Sequence, residues 1–325
     1  MKNLILAILF GLLFPTLLCI AFFMKGEEAP TLAAATETTT YAEETAETQP
    51  VRPVTLWIPV ETENGITDMQ LEEYVLGVLL REMPTYFESE AMKAQAVAAR
   101  TYTLRRFLLG YKHEGGAVCT DPSCCQAYIS EGDYLASGGS SERLSYVRQA
   151  VESTRGEYLA YEGEPIEATY FSCSGGMTES AVAVWGQEVA YLQATESPGE
   201  ENATHFQETV YFTKASLGKK LGISLSGASE RWVGNVQYTD GGGVESVSIC
   251  GVTFTGTELR SRLGLRSTAL EFRADDSGIH ITSKGFGHRV GMSQYGANAM
   301  ALMGNDYRQI LEHYYVGTQL TVYGE

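Results

Sequence analysis

Basic residues are scarce in this chain of 325 residues, which has 23 lysines and arginines against 40 aspartates and glutamates. The formal net charge at pH 7 is therefore −17. Proteins that bind nucleic acids usually carry a basic patch, so this balance argues against a nucleic-acid partner. Part of the imbalance is local, because residues 26–53 carry six glutamates and a single arginine.

Two common catalytic signatures are also missing. The segment Phe171 to Thr178 holds Cys173 and Ser174 but no G-x-S-x-G pattern, which marks the serine nucleophile of many hydrolases. The glycine-rich segment Gly285 to Ala297 lacks the G-x-G-x-x-G spacing of dinucleotide-binding loops. A hydrolase that uses Cys173 or Ser174, with His288 as its base, stays open as an alternative that only geometry can test.

Cysteines are few, and their number is odd outside the N-terminal apolar run. Cys19 lies in that run, and five others follow: Cys119, Cys124, Cys125, Cys173 and Cys250. Five thiols cannot all pair within one chain, so one is free, bridges two chains or binds a metal. Cys119 and Cys124 could place two thiolates on one zinc ion, although a structural zinc site uses four ligands. Disulfide bonds, including bonds to Cys125 or Cys173, are the competing use outside the cytoplasm.

The N-terminal segment is apolar. Residues Asn3 to Met24 lie between two lysines, and about 20 apolar residues in a helix span a bilayer. We therefore predict a single N-terminal transmembrane helix in residues 1–25; a cleaved signal peptide is the alternative, but its apolar core is shorter. Residues 26–53 are rich in Thr, Glu and Ala, which predicts a disordered linker.

The remainder predicts an α+β fold, because strands and helices mix without the steady alternation of a doubly wound sheet. The main, catalytic lobe takes residues 54–195 and 276–325, with two N-terminal helices and mixed strands. A smaller lobe is inserted at residues 196–275. The first helix is predicted over Asp68 to Arg81, where Pro84 forces its end. The second begins at Ser89, as its cap, and ends before Gly110.

Glu82 is the leading candidate for an acid. It lies between apolar residues and beside Pro84, and an apolar setting raises the pKa of a carboxyl group toward the range that a general acid needs. The alternative interpretation is a solvated acid at a helix end, the usual position of a glutamate. No convincing second carboxylate accompanies it, although a glycoside hydrolase normally uses two.

The second helix combines many alanines with polar side chains, which indicates the wall of a cleft rather than an exposed or core helix. The opposite wall is expected from the glycine-rich loop, where backbone N–H groups can approach a ligand closely. The predicted substrate-binding residues are Lys93, Gln95, Arg100, Ser174, Tyr191, His288 and Gln294; Lys93 and Arg100 could instead hold Glu82 in place.

These segments together resemble the stage II sporulation protein D family of peptidoglycan lytic transglycosylases. The resemblance covers Leu71 to Arg105, Cys119 to Tyr128, Phe171 to Trp185 and Gly285 to Ala297, in the family's order. It implies a membrane-anchored enzyme on the extracytoplasmic side of the mother-cell membrane. The expected substrate is peptide-stripped glycan, cleaved during forespore engulfment, and the expected partners are stage II sporulation proteins P and M.

The resemblance also implies roles for particular residues. The family's catalytic glutamate lies in an E-M-P motif and maps onto Glu82, and the arginine that ends the A-V-A-A-R run maps onto Arg100. One carboxyl group would protonate the glycosidic oxygen and then accept the proton of the muramic acid 6-hydroxyl, giving a 1,6-anhydro product. No cofactor is expected for that chemistry. A structural zinc on Cys119 and Cys124 is the one metal considered.

Two departures from the family pattern are visible. Zinc-binding members have a histidine five residues after the cysteine that corresponds to Cys119, and this chain has Cys124 there. A lysine often follows the Tyr-Leu pair in relatives, and this chain has Gln193 after Tyr191. Related proteins enhance wall amidases without cutting glycan, so a non-catalytic glycan-binding module is the main alternative function.

Overall fold

The protein is described by a computed structural model, which gives the structure of residues 55–324. The predicted transmembrane helix at 1–25 and the predicted linker at 26–53 lie outside the described residues. Within residues 55–324, no helix combines the length and apolar character that crossing a bilayer requires.

The described part is a mixed α+β structure with several small sheets. Its helices are α1 Leu71–Glu82, α2 Ser89–Leu109, α3 Glu131–Ala136, α4 Ser141–Ser153, α5 Ala181–Trp185, α6 Lys214–Leu221, α7 Gly256–Leu263, α8 Gln294–Leu302 and α9 Tyr307–Tyr314. Its strands are β1 Trp57–Thr62, β2 Gly65–Gln70, β3 Val118–Cys119, β4 Glu157–Tyr161, β5 Glu164–Pro165, β6 Tyr170–Phe171, β7 Gln207–Thr213, β8 Val233–Tyr238, β9 Val244–Ile249, β10 Val252–Phe254, β11 Ala269–Asp275, β12 Gly278–Lys284, β13 Met292–Ser293 and β14 Gln319–Val322.

The two N-terminal helices are present, with shifted starts. Helix α1 begins at Leu71 rather than Asp68, because Asp68 to Gln70 complete β2 in its antiparallel ladder with β1. Its last residue is Glu82. Helix α2 is capped by Glu88, so Ser89 is not the cap that we predicted, and it ends at Gly110, whose φ of 146° suits glycine.

Two hydrophobic cores underlie the described structure. The first core packs α1, α2, α4, α8 and α9 together with β1 and β4. The second core is built from β7, β9, β11, β12, α6 and α7. Strand β12, which the sequence division gave to the catalytic lobe, contributes Ile279 and Ile281 to the second core. The lobe boundaries at 195/196 and 275/276 otherwise stay a prediction.

A buried arginine joins the two cores. Arg289 is 2% exposed and donates to the carbonyls of Ser174, Met177 and Gly241, each within 2.8 Å. It also pairs with the buried carboxylate of Glu179 at 3.3 Å. Because Gly241 lies in the turn between β8 and β9, these bonds attach the second core to the loop that follows β12.

A second buried ion pair fixes α1 against α2. Arg100 is fully buried and donates from Nη2 to Oε2 of Glu72 at 2.6 Å and from Nε to Oε1 at 2.9 Å. Its remaining N–H groups reach the carbonyls of Glu157 and Val151, at the start of β4 and near the end of α4. One guanidinium therefore ties four elements together, and α1 carries Glu82 at its far end.

Replacing Arg100 with Met should destabilise the protein strongly, because the Glu72 carboxylate would remain buried without its partner. Such changes typically cost about 3–5 kcal/mol in the free energy of unfolding. Arg155, which pairs with Glu152 at the surface, is the matched control, and its replacement with Met should cost no more than about 1 kcal/mol. Denaturant unfolding of both variants measures the difference, and equal losses would contradict this role for Arg100.

Candidate active site

A cleft of about 880 Å³ contains Glu82 and receives side chains from both cores. Its first wall comes from α2 and from the loop that holds Cys124 to Gln126. The second wall is the segment from Glu167 to Ser172, which includes β6. The third side of the cleft, nearest the second core, is lined by Phe286 to His288 and by Arg260 of α7. Strand β6 pairs in parallel with β13, which sets the glycine-rich loop beside this wall.

Glu82 is a partly buried carboxyl group held by one backbone donor. Its Oε1 accepts a hydrogen bond of 2.7 Å from the N–H of Ala127. Burial raises its pKa, and the Ala127 hydrogen bond, the charge of Arg81 and the amide of Gln294 oppose that rise without cancelling it. A carboxyl group with a raised pKa holds its proton to higher pH than an exposed glutamate, as a general acid must.

Gln294 lies beside Glu82 at the start of α8. Its side chain is 5% exposed, and its Nε2 has no partner in hydrogen-bonding geometry among the described residues. Its influence on the pKa of Glu82 places the amide next to the carboxyl group. The predicted residue Gln294 is therefore close enough to Glu82 to lower the pKa of its carboxyl group.

Glu167 is the other carboxylate that lines the cleft within the described part of the chain. Its Oε2 accepts from Nε of Arg105 at 3.2 Å, and its Oε1 accepts from Arg106. Both oxygens are therefore occupied by guanidinium groups. This arrangement disfavours Glu167 as a base for water, and it leaves Glu82 as the cleft carboxyl group without a paired arginine.

His288 and two aromatic side chains form the side of the cleft nearest the second core. Burial, reinforced by the charge of Arg260, lowers the pKa of His288 to about 4, so the imidazole is neutral near pH 7. Its Nδ1 accepts from the N–H of Val290 at 3.1 Å, which leaves the proton on Nε2. Trp185 packs on His288 and is 46% exposed, and Phe286 is 41% exposed. The two exposed rings offer apolar faces to a ligand.

Tyr191 is a second predicted residue that the structure places in the cleft. It lies at the boundary with a smaller cavity of about 340 Å³, which shares Tyr191 and Arg105 with the cleft. Its hydroxyl accepts from the N–H of Glu167 at 3.0 Å. The two cavities are therefore neighbours, with Tyr191 and Arg105 lining both.

Four predicted substrate-binding residues lie elsewhere, and these predictions are corrected. Arg100 and Gln95 are both fully buried, since α2 is enclosed on most sides by the first core. Ser174 is also fully buried, and its hydroxyl donates to Glu200 at 2.7 Å. Lys93 pairs with Glu90 at 2.6 Å, away from the cleft. The alanines of α2 are buried in the first core, and the helix lines the cleft through Tyr102, Arg105 and Arg106.

The geometry disfavours a hydrolase built on Cys173 or Ser174. Both side chains donate to the same oxygen of Glu200, at 3.4 and 2.7 Å, and neither is bonded to His288. Burial, reinforced by the Glu200 charge, raises the pKa of the Cys173 thiol to about 12. A nucleophile needs a lowered pKa or a base within reach, and these residues have neither.

A cluster of metal-ligand residues lies behind the loop that supports Glu82. The donor atoms of His113, Cys119, Cys124 and Cys125 all lie within 4.8 Å of one another. Nε2 of His113 is 3.3 Å from Sγ of Cys125, while its Nδ1 lies 2.7 Å from a carboxylate oxygen of Glu61. A carboxylate on the far nitrogen is the usual support of a zinc-bound histidine. Three thiols and one imidazole fit a tetrahedral zinc site.

Several residues of these two sites were not predicted. Cys119 and Cys124 were predicted as ligands, but His113 and Cys125 were not. His113 lies six residues before Cys119 and reaches it only through a turn. The adjacent pair Cys124-Cys125 was the one signal for a third thiol. Arg105, Trp185 and Arg260 were also missed, since single charged or aromatic residues give no pattern in a sequence.

The chain belongs to the stage II sporulation protein D family. A family model described as "SpoIID: Stage II sporulation protein" matches residues 61–161, which include Glu82 and the four residues of the metal-ligand cluster. The chain is 38% identical over 318 residues to stage II sporulation protein D of Bacillus subtilis (strain 168), covering 95% of this chain and 92% of the relative. The same protein of Bacillus amyloliquefaciens is 36% identical with the same coverage.

A second kind of relative is the amidase enhancer of Bacillus subtilis (strain 168). It is 32% identical over 300 residues, which cover 76% of this chain and 40% of the relative. The family's name connects it with sporulation, and the name of this relative says that it enhances an amidase. The cleft is lined by charged side chains and by the exposed rings of Trp185 and Phe286.

Replacing Glu82 with Gln should stabilise the protein, and more so as the pH rises. The raised pKa of Glu82 means that its protonated form stabilises the fold below the ordinary glutamate pKa, and that this stability is lost as the pH rises through the folded-state pKa. Gln keeps an oxygen for the Ala127 N–H and never ionises. The difference in Tm between variant and wild type should therefore be small in acid and larger near neutrality.

Glu152→Gln is the control of opposite sign. Hydrogen bonding to Arg155 lowers the pKa of Glu152, so this variant should lose stability relative to wild type as the pH rises. Thermal melts of the three proteins across the pH range measure both trends. A Glu82→Gln curve that parallels the wild type at every pH would show that Glu82 is an ordinary solvated acid.

Proposed function

We propose that this protein is a peptidoglycan lytic transglycosylase in which Glu82 is the single acid and base. The observation that carries the proposal is the difference between the two carboxyl groups of the cleft. Glu82 has a raised pKa and one backbone donor, whereas Glu167 has both oxygens bonded to arginines. One protonated carboxyl group is enough for a reaction in which the nucleophile is the 6-hydroxyl of the muramic acid, because no second carboxylate is needed to activate water.

The reaction needs Glu82 twice. The protonated carboxyl group donates its proton to the glycosidic oxygen as the bond to the anomeric carbon breaks, which leaves an oxocarbenium-like centre. The resulting carboxylate then accepts the proton of the muramic acid 6-hydroxyl while that oxygen bonds to the anomeric carbon. The product is a 1,6-anhydro sugar, Glu82 is protonated again, and no water is consumed. Gln294 is placed to donate to the carboxylate between the two steps.

The dimensions and lining of the groove support a polymer of sugars as the ligand. A cleft of about 880 Å³, with a neighbouring cavity of about 340 Å³ that is also lined by Tyr191 and Arg105, has room for several rings. Trp185 and Phe286 supply flat apolar faces for the C–H surfaces of those rings. Neutral His288 supplies a fixed imidazole in place of a second charge.

Products of the cleavage reaction test the proposal directly. The full-length protein, incubated with peptide-free glycan strands, should release fragments that end in 1,6-anhydro-muramic acid, as read by mass spectrometry. Glu82→Gln should lower the rate by at least about 100-fold while binding persists, because general acid–base catalysis is typically worth 10²–10⁴-fold. The rate of the wild type should fall as the pH rises through the raised pKa of Glu82.

Glu152→Gln is the matched control for the activity measurement, because it removes a carboxylate that lies outside the cleft. Its rate should equal that of the wild type. Fragments with ordinary reducing ends would indicate hydrolysis and contradict the single-carboxylate mechanism. Full activity in Glu82→Gln would contradict the assignment of the acid.

A non-catalytic module is the second candidate function. The amidase enhancer relative favours it, because a protein with that name increases the activity of another enzyme. In that case the full-length protein would bind glycan without releasing fragments, and it would raise the rate of a wall amidase when added to it. The raised pKa of Glu82 favours the enzyme, since binding alone gives no reason to bury a carboxyl group.

The cellular setting is proposed with the function. We propose that the segment 1–25 anchors the protein in the mother-cell membrane, with the cleft on the extracytoplasmic side during forespore engulfment. An amidase such as stage II sporulation protein P would supply peptide-free strands, and stage II sporulation protein M would complete the assembly. The relationship to stage II sporulation protein D of two Bacillus species supports this setting.

We also propose that His113, Cys119, Cys124 and Cys125 hold one structural zinc ion. The four donors fill a tetrahedral shell, which leaves no open position for substrate and assigns the metal a structural part. Cys125 is two residues from Ala127, whose N–H holds Glu82. The bound ion would therefore fix the loop that sets the rotamer of the acid.

Zinc content and stability test this cluster without relying on activity. Reduced full-length protein should contain about one zinc ion per chain by elemental analysis. Cys125→Ser should lose most of that zinc and lower the Tm, because a structural zinc contributes free energy to folding. Cys250→Ser removes a thiol of the second core and should keep the full zinc content. Folded, reduced protein without zinc would contradict the proposal.

A further inference from the structure

The cations of the cleft differ in whether the protein supplies a hydrogen-bond partner for the charged group. Arg105 and Arg106 share the carboxylate of Glu167. Lys112 donates to the carbonyl oxygen of Cys124. Arg260 lines the same cleft, and among residues 55–324 its guanidinium has no ion pair, no hydrogen bond and no aromatic ring beneath it.

The lack of a partner for the Arg260 guanidinium lowers the stability of the fold, because the side chain is partly removed from water. The side chain is half-buried, and burial lowers its pKa with no carboxylate to offset the effect. An arginine that loses water without gaining a partner destabilises a fold, and buried charges are normally paired. Burial and the charge of Arg260 lower the pKa of His288 to about 4, so this neutral ring cannot supply the missing negative charge. The cleft therefore has a position for an anion that the protein itself does not fill.

A second arginine of α7, Arg262, has partners that Arg260 lacks. Arg262, two residues later, lies on the other side of the helix, where it pairs with Glu258 at 3.6 Å and covers the ring of Phe254. Arg260 instead projects from the second core toward the wall that carries Glu82. The two arginines lie on the same helix and carry the same charge, but only Arg262 has a carboxylate and an aromatic ring as partners.

We propose that Arg260 binds a carboxylate of the substrate, namely the lactyl carboxylate of peptide-free muramic acid. This proposal rests on the proposed function, because peptidoglycan is the ligand that it assumes. Removal of a stem peptide from muramic acid converts a neutral amide into a free carboxylate. A guanidinium donates two parallel N–H groups to a carboxylate, and it gains nothing comparable from an amide.

Arg260 would thus select stripped strands over strands that still carry peptides. It would do so from the second core, which gives that part of the chain a role in substrate choice. Gln193, which follows Tyr191 and Leu192, carries no charge, and its amide bonds to the carbonyls of Val189 and Ala190. Arg260 is therefore the cleft cation, within residues 55–324, whose charged group has no hydrogen-bond partner in the protein.

The test compares binding to two forms of the same glycan. Peptide-free strands are used as prepared, and a second portion has its lactyl carboxyls converted to carboxamides with a carbodiimide and ammonia. Titration calorimetry with full-length Glu82→Gln protein measures the Kd of each form without cleavage. The carboxylate form should bind about 10- to 100-fold more tightly, as for hydrogen bonds to charged groups.

Adding Arg260→Gln should reduce that preference to near unity, whereas adding Arg262→Gln should leave it intact. A preference that survives Arg260→Gln would overturn the proposal, as would equal binding of the two forms by the Glu82→Gln protein. Thermal melts of both variants check that each one folds. A wild-type protein that cuts neither form, yet shows a preference that depends on Arg260, would refute the proposed catalysis while supporting this inference.

Discussion

The buried ion pair between Arg100 and Glu72 is the constraint on which the rest of the structure depends. It fixes α1 against α2 in the first core and reaches β4 and α4 through two backbone carbonyls. Glu82 is the last residue of α1, so its position follows from that packing. An arginine assigned to substrate from its place in the sequence thus acts on the site through the helix that carries the acid.

The buried carboxyl groups that stabilise the fold differ from Glu82 in the number of their hydrogen-bond and ion-pair partners. Glu72 and Glu179 are buried beside arginines, and Glu200 accepts hydrogen bonds from several hydroxyl and backbone donors. Each of these is satisfied as an anion. Glu82 has one backbone donor and an unsatisfied amide beside it, so burial dominates its pKa. The fold holds this one carboxyl group in a state that favours proton transfer.

The sequence predicted the local features of the fold and much less of the site. Pro84 and Gly110 marked the ends of α1 and α2 correctly, because proline and glycine limit the backbone locally. The start of α1 was wrong, since the pairing of Asp68 with Pro59 in the β1–β2 hairpin overrides the helical pattern. Glu82 was identified from its apolar neighbours. Gln95 and Ser174 were misplaced because burial depends on packing between distant segments, and His113 was missed for the same reason. For Arg100 the sequence left two roles open, and its burial against Glu72 of α1 favours support of Glu82 over contact with substrate.

The central claim is that one carboxyl group acts as acid and then as base, so that the cleavage consumes no water. Cleavage of peptide-free strands in isotope-labelled water tests this claim most directly. Water that attacks the anomeric carbon leaves its oxygen in the product, whereas attack by the 6-hydroxyl does not. The account predicts that fragments from the wild-type protein carry no label at their new ends. Label at those ends would show that water is the nucleophile and would contradict the account.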